Sequence, residues 1–165
     1  MFSLVAQFSR NNSSSIEIVW VVVLFAALIL GYVLSSFLIS RVFAKASVAQ
    51  WKAWVPVVNN WTLYELGSQN GRWALAPLLP LLALPFIAFE QTVMVAVIIL
   101  FVSYIVAFVS GIIMFLAMYD ISRKFGKSEW FILWAIFLPL VWFAILGFDD
   151  SKWQGNLTKR EDSTK

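Results

Sequence analysis

The stretch VMVAVIILFVSYIVAFVSGIIMFLAM, Val93–Met118, decides the fold. It runs for about 26 residues without a charged side chain, and about 20 apolar residues suffice for an α-helix to cross a bilayer core of ~30 Å. Its only polar side chains are Ser103, Tyr104 and Ser110. Tyr104, Ala107 and Gly111 fall at i, i+3 and i+7, so one helical face mixes small and hydroxyl residues. Such a face is what helices in lipid use to pack, and it is the expected contact stripe of this span.

Working outward, three more apolar segments flank it. Ile16–Ile39 is about 24 residues, roughly 36 Å at 1.5 Å per residue, enough to cross with some tilt. Arg41 and Lys45 close its far end, and Glu17 marks its rim. The apolar run is too long for the core of a secretory signal, and no small-x-small site follows it, so an uncleaved helix is expected in place of a cleaved leader. Trp73–Phe89 is about 17 residues, at the lower limit for crossing, and carries Pro77, Pro80 and Pro85. Each proline removes a backbone donor, so this segment is expected to be kinked, with a re-entrant course as the alternative. Glu90-Gln91 would make the connection to the third span. The fourth segment is Trp130–Phe148, with Pro139 near its middle.

Composition agrees with this reading. Of 165 residues, 61% are hydrophobic and 13% charged, against about 45–50% and about 25% in soluble domains. A soluble domain of this size could not hide so much apolar surface. The expected fold class is therefore all-α: a polytopic helical membrane protein with about four membrane segments plus a short interfacial helix. Its organisation is a polar N-terminal segment 1–15 and a helical membrane domain 16–148, then a polar tail 149–165. The spans are expected near 16–39, 73–89, 93–118 and 130–148.

The interfacial segment, about 44–67, holds the densest group of unusual residues. Lys45 and Lys52 alternate with Trp51, Trp54 and Trp61, around Pro56 and the pair Asn59-Asn60. Interleaved indoles and bases suit the headgroup zone. A short helix is expected over Ala44–Trp54, ended by Pro56, then a turn at Asn59–Thr62 and a second short helix over Leu63–Gly67. A second polar group, Asp120, Arg123, Lys124 and Lys127, surrounds Phe125-Gly126, where glycine is expected to stop the third span. These eleven residues are the candidate interaction or lipid-interface positions. They read equally as anchors that set the depth of the chain in the bilayer.

Orientation follows from the bases. Arg41, Lys45, Lys52, Arg72, Arg123, Lys124 and Lys127 lie in the loops after spans one and three; Arg10, Lys152, Lys159, Arg160 and Lys165 lie on the other side. The positive-inside rule then puts the two basic loops in the cytoplasm and both termini outside.

Catalytic chemistry finds little to work with. The chain has no histidine and no cysteine, which removes thiolate chemistry and the commonest zinc ligands. No span carries an ionisable residue near its middle, as ion-coupled transport normally needs. Ser47 lies close to Lys45 and Lys52, yet without an oxyanion-hole pattern around it. Asn156-Leu157-Thr158 matches a glycosylation acceptor by three residues only. No enzyme activity, metal or cofactor is expected. The expected partners are the lipid bilayer and another membrane protein or a second copy, with no nucleic acid.

Several short motifs occur in a fixed order: Phe43-Ala44-Lys45-Ala46, Trp51 with Pro56 and Asn59, Trp73, Phe125-Gly126-Lys127, Leu138-Pro139, and Leu146-Gly147-Phe148-Asp149-Asp150-Ser151-Lys152-Trp153. In order and spacing, from Phe43 to Trp153, they resemble a family of small bacterial multi-pass membrane proteins built on a domain of unknown function. The chain departs from the pattern at Val58, where tyrosine is usual, and at Ser47, where glycine is common. The resemblance implies a multi-pass fold in a bacterial inner membrane. Similar domains occur ahead of signal peptidase I, which implies at most an association with export. The expected function is a non-catalytic scaffold or accessory subunit of an envelope or secretion-related complex; the alternative is a small oligomeric channel or transporter.

Overall fold

The computed structural model describes the backbone of residues 2–87 and 92–155, and side chains from residue 18 onward within those stretches. Glu90-Gln91 and Asn156–Thr158 lie outside the described residues. Every described element is a helix. The chain divides into two compact units, residues 1–36 and 37–165.

The first unit lies within one long helix, α1, Phe2–Lys45, whose bounds take in the first expected span and most of the expected polar segment before it. From Ile18 to Leu34 its side chains are exposed on every face. A helix apolar all round is at home only in a protein core or a hydrocarbon layer. Within this unit Ser35 returns its hydroxyl to the Tyr32 carbonyl at 2.9 Å.

The second unit opens with the last turns of α1, where Leu38, Ile39, Val42 and Phe43 are buried. The helix then ends at a residue of left-handed backbone, Ser47 (φ 59°), with Val48 N–H bonding the Phe43 carbonyl at 2.8 Å. A single 3-10 turn, Gln50–Trp54, follows in place of the expected helix over 44–54. Pro56 begins helix α2, Pro56–Leu66, where it was expected to end one. Its fixed φ and missing N–H suit the first helical position, and Val55 before it is extended. Asn59-Asn60 therefore stands inside α2, not in a turn.

The segment expected at 73–89 is mostly a 3-10 helix, Gly71–Ala83, continued by the short α3, Leu84–Ile87. Asn70 caps it, its side-chain oxygen accepting from Arg72 N–H at 3.0 Å. Pro77 and Pro80 are three residues apart, the repeat of this helix, so both missing donors fall on one side. At about 2.0 Å per residue the 3-10 portion is ~26 Å long, and α3 adds ~6 Å. Seventeen residues thus cover a distance that an α-helix of equal length would not.

Helix α4, Val93–Lys124, runs back along it. The buried stripe of α4 is Ala96, Ser103, Ser110 and Ala117, four small residues at a spacing of seven. The buried positions of the 3-10 helix are also small: Gly71, Ala74, Ala76 and Ala83. Two elements lined by such residues approach closely enough for backbone and hydroxyl groups to meet. Ser110 Oγ donates to the Trp73 carbonyl at 3.0 Å, and Tyr64 OH lies 2.7 Å from the same Oγ. The expected stripe Tyr104–Ala107–Gly111 points elsewhere: Tyr104 is 72% exposed, and a Cβ on Gly111 would meet nothing within 4 Å. In a helix apolar on all sides, small size decides which face packs, and the face at 96, 103, 110 and 117 has more of it.

The fourth expected span is two helices, α5, Ile132–Phe137, and α6, Pro139–Phe148. They meet at Leu138, whose backbone (φ −141°, ψ 68°) leaves the helix because proline follows. As one straight helix, 130–148 would hold its ends about 27 Å apart. Instead the Phe131 and Trp142 rings lie 6.5 Å apart, and Asp149 reaches Lys127. The segment is a helical hairpin that returns to the end from which it started. Trp142, with 0% exposure, sits at its core with Nε1 donating to Ser122 Oγ at 3.0 Å.

Candidate functional site

Helix α1 ends at Lys45, α4 ends just before Lys127, and α6 ends just before Asp149. These three ends converge. The α4 stop is a Schellman turn: Gly126 takes φ +70°, Gly126 N–H bonds the Arg123 carbonyl at 2.8 Å, and Lys127 N–H bonds the Ser122 carbonyl at 3.0 Å. The turn throws Lys127 toward the C-terminus of α6. The same motif ends α2, with Ser68 at φ 59°.

Lys45 Nζ donates to the Leu146 carbonyl at 2.7 Å, to Asp149 Oδ1 at 2.9 Å and to the Asp149 carbonyl. All three ammonium hydrogens are then used. Two of the acceptors are orphan carbonyls at the end of α6, where a cation also meets the negative end of the helix dipole. Lys127 Nζ pairs with Asp149 Oδ2. Ser151 adds its backbone N–H at 3.2 Å and its hydroxyl to Oδ1. Burial by itself would raise the Asp149 pKa. The bonds from Lys127, Ser151 and Lys45 more than offset it and hold the carboxyl well below the usual carboxylate range. An ionised carboxylate with its oxygens occupied is a fastener, poorly suited to move protons.

Lys124 does the same for α2. Its Nζ donates to the Leu66 carbonyl at 2.7 Å and to Ser68 Oγ at 2.6 Å, and lies 5.8 Å from the Trp153 ring centre. Trp153 meets Phe125 edge-on at 5.1 Å, and Gln154 N–H bonds the Lys124 carbonyl at 2.8 Å. The stretch after α6 is therefore strapped across the ends of α1 and α4.

Of the sequence candidates, Lys45 and Lys127 thus meet at Asp149, and Lys124 closes separately on the end of α2. Arg123 turns away and lies 5.9 Å from the Tyr119 ring centre, and Asp120 is half-buried one turn earlier. The charged group 120–127 does not close on a single point. The tryptophan block divides likewise. Trp51 is 60% exposed and Trp54 is exposed, while Trp61 is half-buried, its Nε1 donating to Glu65 at 2.6 Å and its indole lying against Gly71. Asn59 is buried and donates to the Ala53 carbonyl at 3.2 Å, its Oδ1 unmatched; Asn60 and Lys52 are half-buried. Among the described residues no three His, Cys, Asp or Glu side chains gather as a metal site would require.

Sequence reasoning missed Asp149, Ser151 and Trp153. Their signal was the close of the motif series, Leu146–Trp153, whose acid follows directly on the fourth expected span. The motif pieces at 43–46, 125–127 and 146–153, far apart in sequence, are the three strands of one knot.

Neither a curated protein nor a solved structure matches the chain. Residues 51–156, more than half of its length, match a family of unknown function, DUF5684; the match includes Lys127, Asp149 and Ser151 and begins after Lys45. The chain belongs to the DUF5684 family.

Proposed function

We propose that the chain is a multi-pass integral membrane protein that acts without catalysis, as a scaffold or accessory subunit of a bacterial envelope or secretion-related complex. One observation carries the membrane reading. Two helical stretches, Ile18–Lys45 and Val93–Lys124, are long and apolar enough to cross a bilayer, and of their most apolar windows only 0% and 17% is buried. A soluble core helix would be covered; these present leucine, isoleucine and phenylalanine outward, which hydrocarbon accepts and water does not.

In this reading α1, the 3-10 helix with α3, and α4 each cross. The α5–α6 hairpin leaves from the basic side, runs ~15 Å along α4 at the ten residues of α6, and returns. The strap after Asp149 then lies with the basic loops in the cytoplasm, opposite to its expected side. Three crossings plus a hairpin replace four crossings.

The clamped basic end supports a scaffold. Its lysines are tied down, which fixes the helix ends, and Trp51 and Trp130 face outward on that frame. The alternative, an oligomeric channel or transporter, draws on Pro77 and Pro80, whose missing donors leave the Ala74 and Pro77 carbonyls without ladder partners. The hairpin tip speaks against it, since Phe137, Leu138, Pro139 and Leu140 are all apolar.

Purification from mild detergent with chemical cross-linking tests the proposal. A specific second membrane protein in repeated preparations is the expected result; recovery of the chain with copies of itself only, together with solute flux in vesicles, would replace it with the channel, and a lone monomer would overturn the scaffold.

A further inference from the structure

A groove of about 360 Å³ lies between α4 and the start of the 3-10 helix, with Asn70, Arg72 and Trp73 at its mouth and Leu75, Leu79 and Val106 along it. We propose that this groove holds one anionic phospholipid, its phosphate on Arg72 and an acyl chain along the leucines. The proposal rests on the membrane reading above.

Size and shape fit such an occupant. The volume is within the ~300–1,000 Å³ common for small-molecule sites. From Arg72 to Leu79 the 3-10 helix rises ~14 Å, so the apolar wall runs along the helix and away from the polar mouth. Val106 stands about one turn of α4 deeper than Ser110, which bonds the Trp73 carbonyl. Leu75, Ala76 and Leu79 on one side and Val106 on the other thus make the groove apolar beyond its mouth.

Charge selects the headgroup. Both ion pairs among the described residues end on Asp149, and neither uses Arg72. The acid beyond Gly71, Glu65, is engaged by the Trp61 indole. Arg72 is exposed, its backbone N–H fixed by Asn70 Oδ1. An uncompensated guanidinium at the rim of an apolar groove, beside an indole, matches a phosphate above acyl carbons. It also stands on the side where the positive-inside rule puts the anionic leaflet.

The test uses the full chain in nanodiscs of equal phosphatidylglycerol and phosphatidylcholine, ejected into a native mass spectrometer. One phosphatidylglycerol should stay bound, enriched over the disc composition. Arg72→Gln should lower that enrichment about fivefold, the worth of one basic residue at an anionic surface, and Arg72→Lys should keep most of it. Leu75→Trp, which narrows the groove without touching the charge, should remove the bound lipid. Bound lipid that mirrors the disc, an Arg72→Gln variant equal to wild type, or a lipid-free dimer would each overturn the proposal while leaving the membrane reading intact. A chain that fails to enter the discs would overturn both.

Discussion

Replacing Asp149 by asparagine keeps the shape of the knot and removes its charge. The carboxylate accepts from Lys45 at 2.9 Å, from Lys127 and from Ser151, and 22% of the side chain is exposed. Asparagine retains one acceptor oxygen and turns an N–H₂ toward a lysine, so one ammonium contact is lost outright and the other loses its ionic part. A hydrogen bond to a charged group contributes about 1.5–3 kcal/mol. Two weakened contacts, partly screened by solvent, give about 3 kcal/mol, the low end for breaking a buried pair from one side. At roughly 2–4 °C per kcal/mol for a chain of this size, Tm should fall by about 6–12 °C. Unfolding in detergent micelles, followed by tryptophan fluorescence, would measure it, since Trp142 and Trp153 lie on the two sides of the knot. Combining Asp149→Asn with Lys127→Met should cost less than the sum of the two changes, by at least about 0.5 kcal/mol. A fall of under about 2 °C, or strictly additive effects, would refute the claim that this carboxylate fastens the helix ends.

Further predictions concern the acid limb, close packing, turns and topology. Because the Asp149 pKa is depressed on folding, the unfolded chain takes up the proton first; its contribution should be complete above about pH 4 and decline as pH falls from there, a slope that Asp149→Asn abolishes in a pH titration of Tm. Gly67→Ala puts a Cβ 2.3 Å from the Ala117 Cα and should destabilise by about 1–3 kcal/mol, whereas Gly111→Ala, with open space around it, should be neutral or stabilising by up to about 1 kcal/mol; matched thermal melts would compare them. Ser47→Gly relieves a left-handed backbone and should raise stability by about 1 kcal/mol in the same assay. Single cysteines at Ser47 and Gln154, in a chain that has none, should label from the same side with an impermeant thiol reagent in oriented vesicles. Labelling from opposite sides would sink the hairpin.

Local signals carried part of this structure and non-local ones the rest. The helix stop at Phe125-Gly126 was legible because a Schellman turn is written in adjacent residues. The long rods α1 and α4 were legible because apolar length alone specifies them. The packing face of α4 was not: with apolar residues all round there is no polar contrast to mark an inside, and the wrong set of small residues was chosen. Pro77 and Pro80 showed a disturbed helix, expected as a kinked or re-entrant segment, and not the i→i+3 repeat that the structure adopts. Pro139 stood in the middle of what read as a single span, and whether the chain continued or turned back there depended on where Asp149 finds its lysines, one of them 104 residues away. Lys45, Lys124 and Lys127 read as anchors for the same reason, since an ammonium at a rim looks alike whether it faces lipid phosphate or a carbonyl of its own chain.

In the membrane reading proposed above, the extended pitch of Gly71–Ala83 would give the molecule a variable length. Each residue that exchanges an i→i+3 bond for an i→i+4 bond draws the two ends of the segment ~0.5 Å closer. Mismatch with the surrounding bilayer costs only fractions of a kcal/mol per Å, comparable to such local exchanges. A thinner membrane can thus be met by shortening one strut while its rigid neighbour keeps its tilt, and the tightly knotted end would stay level through the change.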